Sequence, residues 1–177
     1  MSDNPGQVAR LHEAEDLLRG WQSDVAEMQL ALRRELGDAP SMNDISAEVA
    51  EARGKTFFDR FRAQIAEFID IEAGLLAERG ATFEAQVRSG FATPERIQSA
   101  MNWVAHTHAV IGEAKVILAA AIDMETGMRG YLLAGDESFL EPYDAGRAAF
   151  SERIEALQET VADNPPQVAR LREAQTT

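Results

Sequence analysis

Asp123-Met124-Glu125-Thr126-Gly127-Met128-Arg129-Gly130-Tyr131-Leu132-Leu133-Ala134-Gly135-Asp136-Glu137-Ser138-Phe139-Leu140-Glu141-Pro142-Tyr143 reads as the end of one long helix, a tight turn and the start of the next. Ile122, Glu125, Arg129 and Leu132 fall at helical spacing on one face. Gly135 suits a left-handed helix end, and Asp136 suits the cap of the helix that follows. Two features are unusual. The ionisable residues Glu125 and Arg129 lie on a face that is apolar elsewhere. Gly127 and Gly130 lie inside the helix, where each costs roughly 1 kcal/mol against alanine. Such a cost is tolerated where another helix approaches closely or a polar contact must be held.

The flanks of this turn extend as helices. Upstream, Thr93 as cap and Pro94 at the first helical position open a third helix running to about Ala134. Its stripe is Ala100, Val104, Thr107, Ile111, Ala114, Leu118, Ala121, Glu125, Met128 and Leu132. Downstream, a fourth helix runs from about Glu137 to Ala162, with Phe139, Tyr143, Phe150, Leu157 and Val161 inward. Pro142 kinks or restarts it. A second helix, opened by a Ser41/Asp44 capping box, runs to about Ser89. Ile45, Val49, Ala52, Phe58, Phe61, Ile65, Phe68, Leu75, Leu76 and Phe83 mark its inner face, and Glu72 falls on that face too. A first helix starts at Asn4-Pro5-Gly6-Gln7 and stops at Gly37. Its heptad stripe is Leu11, Ala14, Leu18, Trp21, Val25, Met28, Leu32 and Leu36. No alternating pattern suggests a strand. The reading is an all-α, up-and-down four-helix bundle of long helices. Counting from the loops at one end puts Arg53 and Glu125 at similar depth. Glu125 is therefore expected to meet Arg53 or Arg129 in a polar layer.

A repeat links the two ends. Asp3 through Ala14 recurs as Asp163 through Ala174, with ten of twelve positions identical at a constant offset of 160. The chain thus reads as one period of a tandem array plus the beginning of the next copy. The repeated segment is also a candidate for self-association.

The run Glu125-Thr126-Gly127-x-Arg129-Gly130-Tyr131-Leu132-Leu133-x-Gly135, followed by Phe139-Leu140-x-Pro142-Tyr143, resembles the signature of the third class of CHASE domains. Trp103-Val104-x-His106-Thr107 resembles the opening of the same module. The resemblance implies an extracytoplasmic helical sensor module of bacterial chemoreceptors and histidine kinases. It implies a small-molecule or protein ligand and a periplasmic location as part of an inner-membrane protein. Arg53-Gly54-Lys55 and Glu72-x-x-Leu75-Leu76-x-x-Arg79 resemble the second helix pair of such a module. The order is permuted. Residues 1–89 resemble the second half of one module, 94–164 the first half of the next, and 165–177 open a repeat, all within one helical-bundle domain over 1–177.

Composition bounds the rest. With 30 acidic and 17 basic residues the formal net charge is −13, which argues against nucleic acid and anionic membrane surfaces as partners. No cysteine is present, so disulfides, thiolate metal sites and cysteine nucleophiles are excluded. No uninterrupted apolar run approaches 18 residues and the N-terminus lacks an apolar signal core. Any membrane contact is therefore expected through regions outside this sequence. Ala105-His106-Thr107 resembles the start of a phosphotransfer motif, but Ala109 stands where that motif carries lysine, and glycine comes only at Gly112. No histidine has glutamate three residues before it, which argues against a di-iron bundle site. No catalytic triad or phosphate loop can be assembled. The expectation is a non-enzymatic sensor without cofactor or metal. The alternative is a structural spacer or assembly module of repeated bundles. Candidate site residues are Glu125, Thr126, Gly127, Arg129, Gly130, Tyr131, Gly135, Pro142, Tyr143, Arg53 and Glu72.

Overall fold

The computed structural model describes residues 5–36, 53–90 and 93–162; no strand occurs among them. Helix α1 spans Pro5–Trp21, a π turn covers Gln22–Ala26, and α2 continues over Glu27–Leu36. Helix α3 is Arg53–Arg88 and α4 is Pro94–Ala134. A 3-10 turn, Glu137–Phe139, leads into α5, Leu140–Ala162. The protein is all-α, and its four helical segments pack as a bundle. The Ser41/Asp44 cap, Ile45, Val49, Ala52, Asn4, Gly37 and the second copy of the repeat lie outside the described residues.

The helix ends follow local chemistry. Thr93 Oγ1 accepts from the Arg96 N–H at 3.4 Å, with Pro94 beginning α4. Gly135 takes φ 70° and donates its N–H to the Tyr131 carbonyl at 2.8 Å. Asp136 Oδ1 accepts from the Ser138 N–H at 2.9 Å and opens the 3-10 turn. Pro142 falls in the first turn of α5, where its missing N–H breaks no intrahelical bond, so the helix restarts there and is not kinked.

Contacts set which helix lies against which. The start of α1 meets the middle of α3, since Gln7 reaches Glu72 and Arg10 reaches Glu67; further along α1, Trp21 meets Phe58. Arg79 of α3 donates to Thr107 of α4, and Arg62 to Glu125, so α3 and α4 fold back as a hairpin. Arg153 of α5 donates to Glu113 of α4 at 2.8 Å. Gln158 of α5 donates to Glu15 of α1 at 2.7 Å, which joins the first segment to the last.

At the centre, Trp21, Phe58, Phe61 and Phe150 form a chain of edge-to-face pairs with centroids 5.5, 5.9 and 5.9 Å apart. Each pair contributes about 0.5–1.5 kcal/mol beyond its buried area. Ile65, Phe68, Ile117, Met124, Ile154 and Leu157 complete this layer, all buried.

Several sequence expectations are corrected. Met28 is 39% exposed and Leu32 half-exposed, while Gln29 and Leu30 are buried instead. The π turn explains this: its wider ring inserts about one extra residue per turn, so the stripe beyond Val25 slips by one position. Phe139 is 43% exposed because it lies outside the helix pair, across the face of Gly130. Ile122 is exposed, so the face it shares with Glu125 and Arg129 is the rim of the bundle and not its centre. Leu75, Leu76 and Phe83 are only half-buried, since α1 begins alongside Phe68 and Glu72. An 18-residue window of α4 averages a hydropathy of 1.2, long and apolar enough to cross a membrane by composition. Its Val110, Ile117, Ala121 and Met124 are buried in the bundle core.

Candidate functional site: a charged cavity beside the π turn

Three helical segments converge near the turn end of the molecule. Helix α4 presents Glu125, Met128, Arg129 and Leu132, and α3 presents Lys55, Phe58, Asp59 and Arg62. The π turn and its neighbours present Trp21, Asp24, Val25, Met28 and Gln29. Together with Gly54 they line an open cavity of about 500 Å³, within the size range of small-molecule sites. Trp21 and Phe58 are buried in its wall, while three acids and three bases line it: Asp24, Asp59, Glu125, Lys55, Arg62 and Arg129.

Glu125 is the hub. One carboxylate oxygen meets Arg62 Nη2 at 3.0 Å and the other meets Arg129 Nη1 at 3.6 Å. Its side chain is 21% exposed, whereas that of Arg129 is 68% exposed at the mouth. The Arg62 guanidinium also lies 4.7 Å over the Phe58 ring, which fixes its plane. Lys55 and Asp59 pair along α3. Local sequence explains these placements: Lys55, Asp59 and Arg62 step by four and three, alongside the buried stripe of Phe58, Phe61 and Ile65.

The remaining candidates divide by role. Gly127 is buried under α5: a methyl there would lie 2.7 Å from the Phe139 carbonyl oxygen and 2.9 Å from the Tyr143 nitrogen. Gly130 makes room for the Phe139 ring, and Gly135 makes the turn, with the Arg33 side chain lying against it. These glycines therefore serve close approach. Tyr131 is buried in the core, and Thr126 and Pro142 are exposed. Tyr143 is 3% exposed and its hydroxyl has no hydrogen-bond partner. Burial raises its pKa above the ordinary phenol value, with Arg147 opposing and Glu27 adding to the rise. A smaller cavity of about 320 Å³ borders it, lined by Glu27, Leu30, Arg34, Leu140, Asp144 and Arg147. Glu72 is buried elsewhere, beside the start of α1, where it accepts from Gln7 Nε2 at 2.8 Å. Arg53 lies at the start of α3 and its side chain is outside the described residues. Glu125 meets Arg129, one of the two partners expected for it, and also Arg62, nine residues beyond Arg53.

Arg62, Asp59, Asp24 and the π turn are absent from the sequence reading, and Lys55 enters it only through the family resemblance. The spacing of Lys55, Asp59 and Arg62 beside the Phe58 stripe is a signal for those three. His106 packs edge-on against Trp103 at 5.5 Å, and His108 is exposed. Among the described residues no group of three histidine, aspartate or glutamate side chains is placed to hold a metal ion. The cavity offers paired charges over an aromatic wall, which suits reversible binding of a polar ligand with an apolar part.

The CHASE3 domain profile matches residues 1–82 and 100–177 of this sequence. The chain belongs to the CHASE3 domain family. Domains of this family are extracytoplasmic sensory domains of receptors and histidine kinases, and the family is one of sensors, not of catalysts. No curated protein and no solved structure matches the chain. In this CHASE3 domain, Glu125 and Arg129 sit on the cavity, while Gly127, Gly130, Gly135 and Tyr143 hold the α4–α5 hairpin together.

Proposed function

We propose that this CHASE3 domain is the non-enzymatic sensory and signal-relay module of a bacterial transmembrane receptor, a chemoreceptor or histidine kinase. It works in the periplasm, as part of an inner-membrane protein whose spans lie in other regions. A small ligand with charged ends and an apolar middle enters the Glu125 cavity. Its charged ends replace or extend the Glu125–Arg62–Arg129 contacts, and its apolar part lies against the exposed Met28, in a wall backed by the buried Trp21 and Phe58.

The observation that carries this reading is the coincidence of three features at one place: the cavity, the six charged side chains that line it and the π turn. π turns inside helices mark functional sites often enough to weigh here. The pairing of contacts along the helices supports an up-and-down arrangement, in which one segment can slide along its neighbours. A π turn holds one residue more than an α turn. Moving that extra residue along α2 turns each residue it passes by about 100° and shifts it by roughly 1.5 Å relative to α3 and α4. A ligand that binds one register better than the other shifts the population toward it.

A thermal-shift screen with small zwitterions and amphipathic acids tests the reading. Compounds that occupy the cavity raise the melting temperature of the wild type and lose that effect in Arg129→Met. A screen in which no compound stabilises the wild type, or in which Arg129→Met responds equally, overturns it. The second reading is a spacer built of repeated bundles. The repeat supports it, and complete silence in this screen would favour it.

A further inference from the structure

We propose that the groove on α3 that seats the start of α1 also binds residues 167–174 of a second copy of this chain. Two sets of observations meet in this inference. The first is how residues 7–14 are seated. Gln7 Nε2 donates to Glu72 Oε1 at 2.8 Å and to the Phe68 carbonyl at 3.3 Å. Arg10 donates to Glu67 Oε1 from Nε at 3.1 Å and from Nη2 at 3.0 Å. Leu11 and Ala14 are fully buried. The second is the repeat. Gln167, Arg170, Leu171 and Ala174 reproduce all four of these side chains at the same spacing.

The repeat departs from its original at two positions, and both are solvent-facing in the first copy. Gly6 becomes Pro166 and His12 becomes Arg172; Gly6 and His12 are both exposed. A Cβ at Gly6 meets only the end of the Arg10 side chain, at 3.4 Å, so a proline there has room. Within these twelve positions, the side chains seated in the groove are therefore present twice in one chain, and the two that differ face solvent.

The occupant comes from a second molecule. A chain's own copy would have to reverse direction after Ala162 across Asp163-Asn164-Pro165-Pro166, because α5 runs opposite to α1. A neighbour's copy needs no reversal. Exchange of identical segments is a low-cost route to association, and a donor end that differs from the acceptor groove gives an open, head-to-tail contact. The acceptor's first turns peel back while Trp21 remains seated on Phe58.

Mixed disulfide trapping tests this, and the cysteine-free sequence makes it clean. Full chains carrying only Glu72→Cys are mixed with full chains carrying only Gln167→Cys and oxidised slowly. The expected result is mixed dimers in excess of both homodimers, with that excess lost when the donor also carries Leu171→Asp. Statistical proportions of the three dimers overturn the proposal, as does an excess that survives Leu171→Asp. A double variant in one chain gives a further check: a ladder of oligomers is expected, and closure within the monomer alone overturns the choice of a second molecule.

Discussion

Gly127 and Gly112 lie in the same helix and carry opposite expectations. A methyl at Gly127 meets backbone atoms of Phe139 and Tyr143, which cannot move aside, so Gly127→Ala should destabilise by about 1–3 kcal/mol despite its better helix propensity. A methyl at Gly112 meets nothing within 4 Å, so Gly112→Ala should stabilise by up to about 1 kcal/mol. Urea unfolding of the two variants reads both signs. Tyr143→Phe removes a buried hydroxyl that has no partner, an arrangement that costs about 1–3 kcal/mol. Its melting temperature should equal or exceed that of the wild type; a clear drop would show that the hydroxyl is bonded in solution. Glu125→Gln should lose no more than about 1 kcal/mol, because both arginine partners are substantially exposed. Glu15 behaves differently with pH. Burial alone would raise its pKa, but hydrogen bonds from Gln158 and Arg19 and the charges of Arg19 and His12 outweigh that and hold it below the ordinary glutamate value. A depressed folded-state pKa stabilises above the unfolded value, and that contribution is lost as pH falls through the folded value. The stability advantage of wild type over Glu15→Gln should therefore shrink as pH falls through the carboxylate range. A gap independent of pH across melting curves would contradict this.

At the scale of elements, the π turn decides how the first segment meets the rest. Its amides lie in the weaker hydrogen-bond geometry of the wider ring. Hydrogen exchange over Gln22–Leu30 should thus be faster than over Leu11–Leu18, although both stretches bury apolar side chains. Uniform protection through α1, π turn and α2 would remove the proposed compliant element. The same turn marks where the sequence stops being legible. Gly135 with Asp136, and Thr93 with Pro94, announce the helix ends because capping depends on a few adjacent residues. The periodic stripes of α4 and α5 are legible because burial follows the helical repeat. Ser23, Asp24 and Val25 are only mildly unfavourable in an α turn and do not specify a π turn, so the slip that exposes Met28 and buries Gln29 depends on packing against α3 and α4. Arg62 escaped for a related reason: its partner Glu125 is on another helix, and the level at which two helices meet is not written in either one. The inner glycines announce either a close approach or a polar contact, and the backbone of α5 over Gly127 shows that the reason is close approach.

At the scale of the whole molecule, α4 has 41 residues and so sets a length of about 62 Å. Because α3 and α4 fold back on each other, small-angle scattering of the monomer should give a largest dimension of roughly 60–70 Å by the same helix rise. A rod nearly twice as long would mean that the hairpin opens in solution. The central claim is that a ligand binds in the Glu125 cavity and is felt at the π turn. The chain has two tryptophans, and they are well placed to locate binding. Trp21 forms part of the cavity wall, whereas Trp103 stacks with Arg79 far along the α3–α4 hairpin. The decisive measurement is fluorescence of Trp103→Phe, in which Trp21 is the sole reporter, titrated with the compounds that raise the melting temperature. The account predicts a saturable change in Trp21 emission whose midpoint matches the thermal stabilisation. Stabilising compounds that leave Trp21 emission unchanged, while altering that of Trp103 in the wild type, would contradict it.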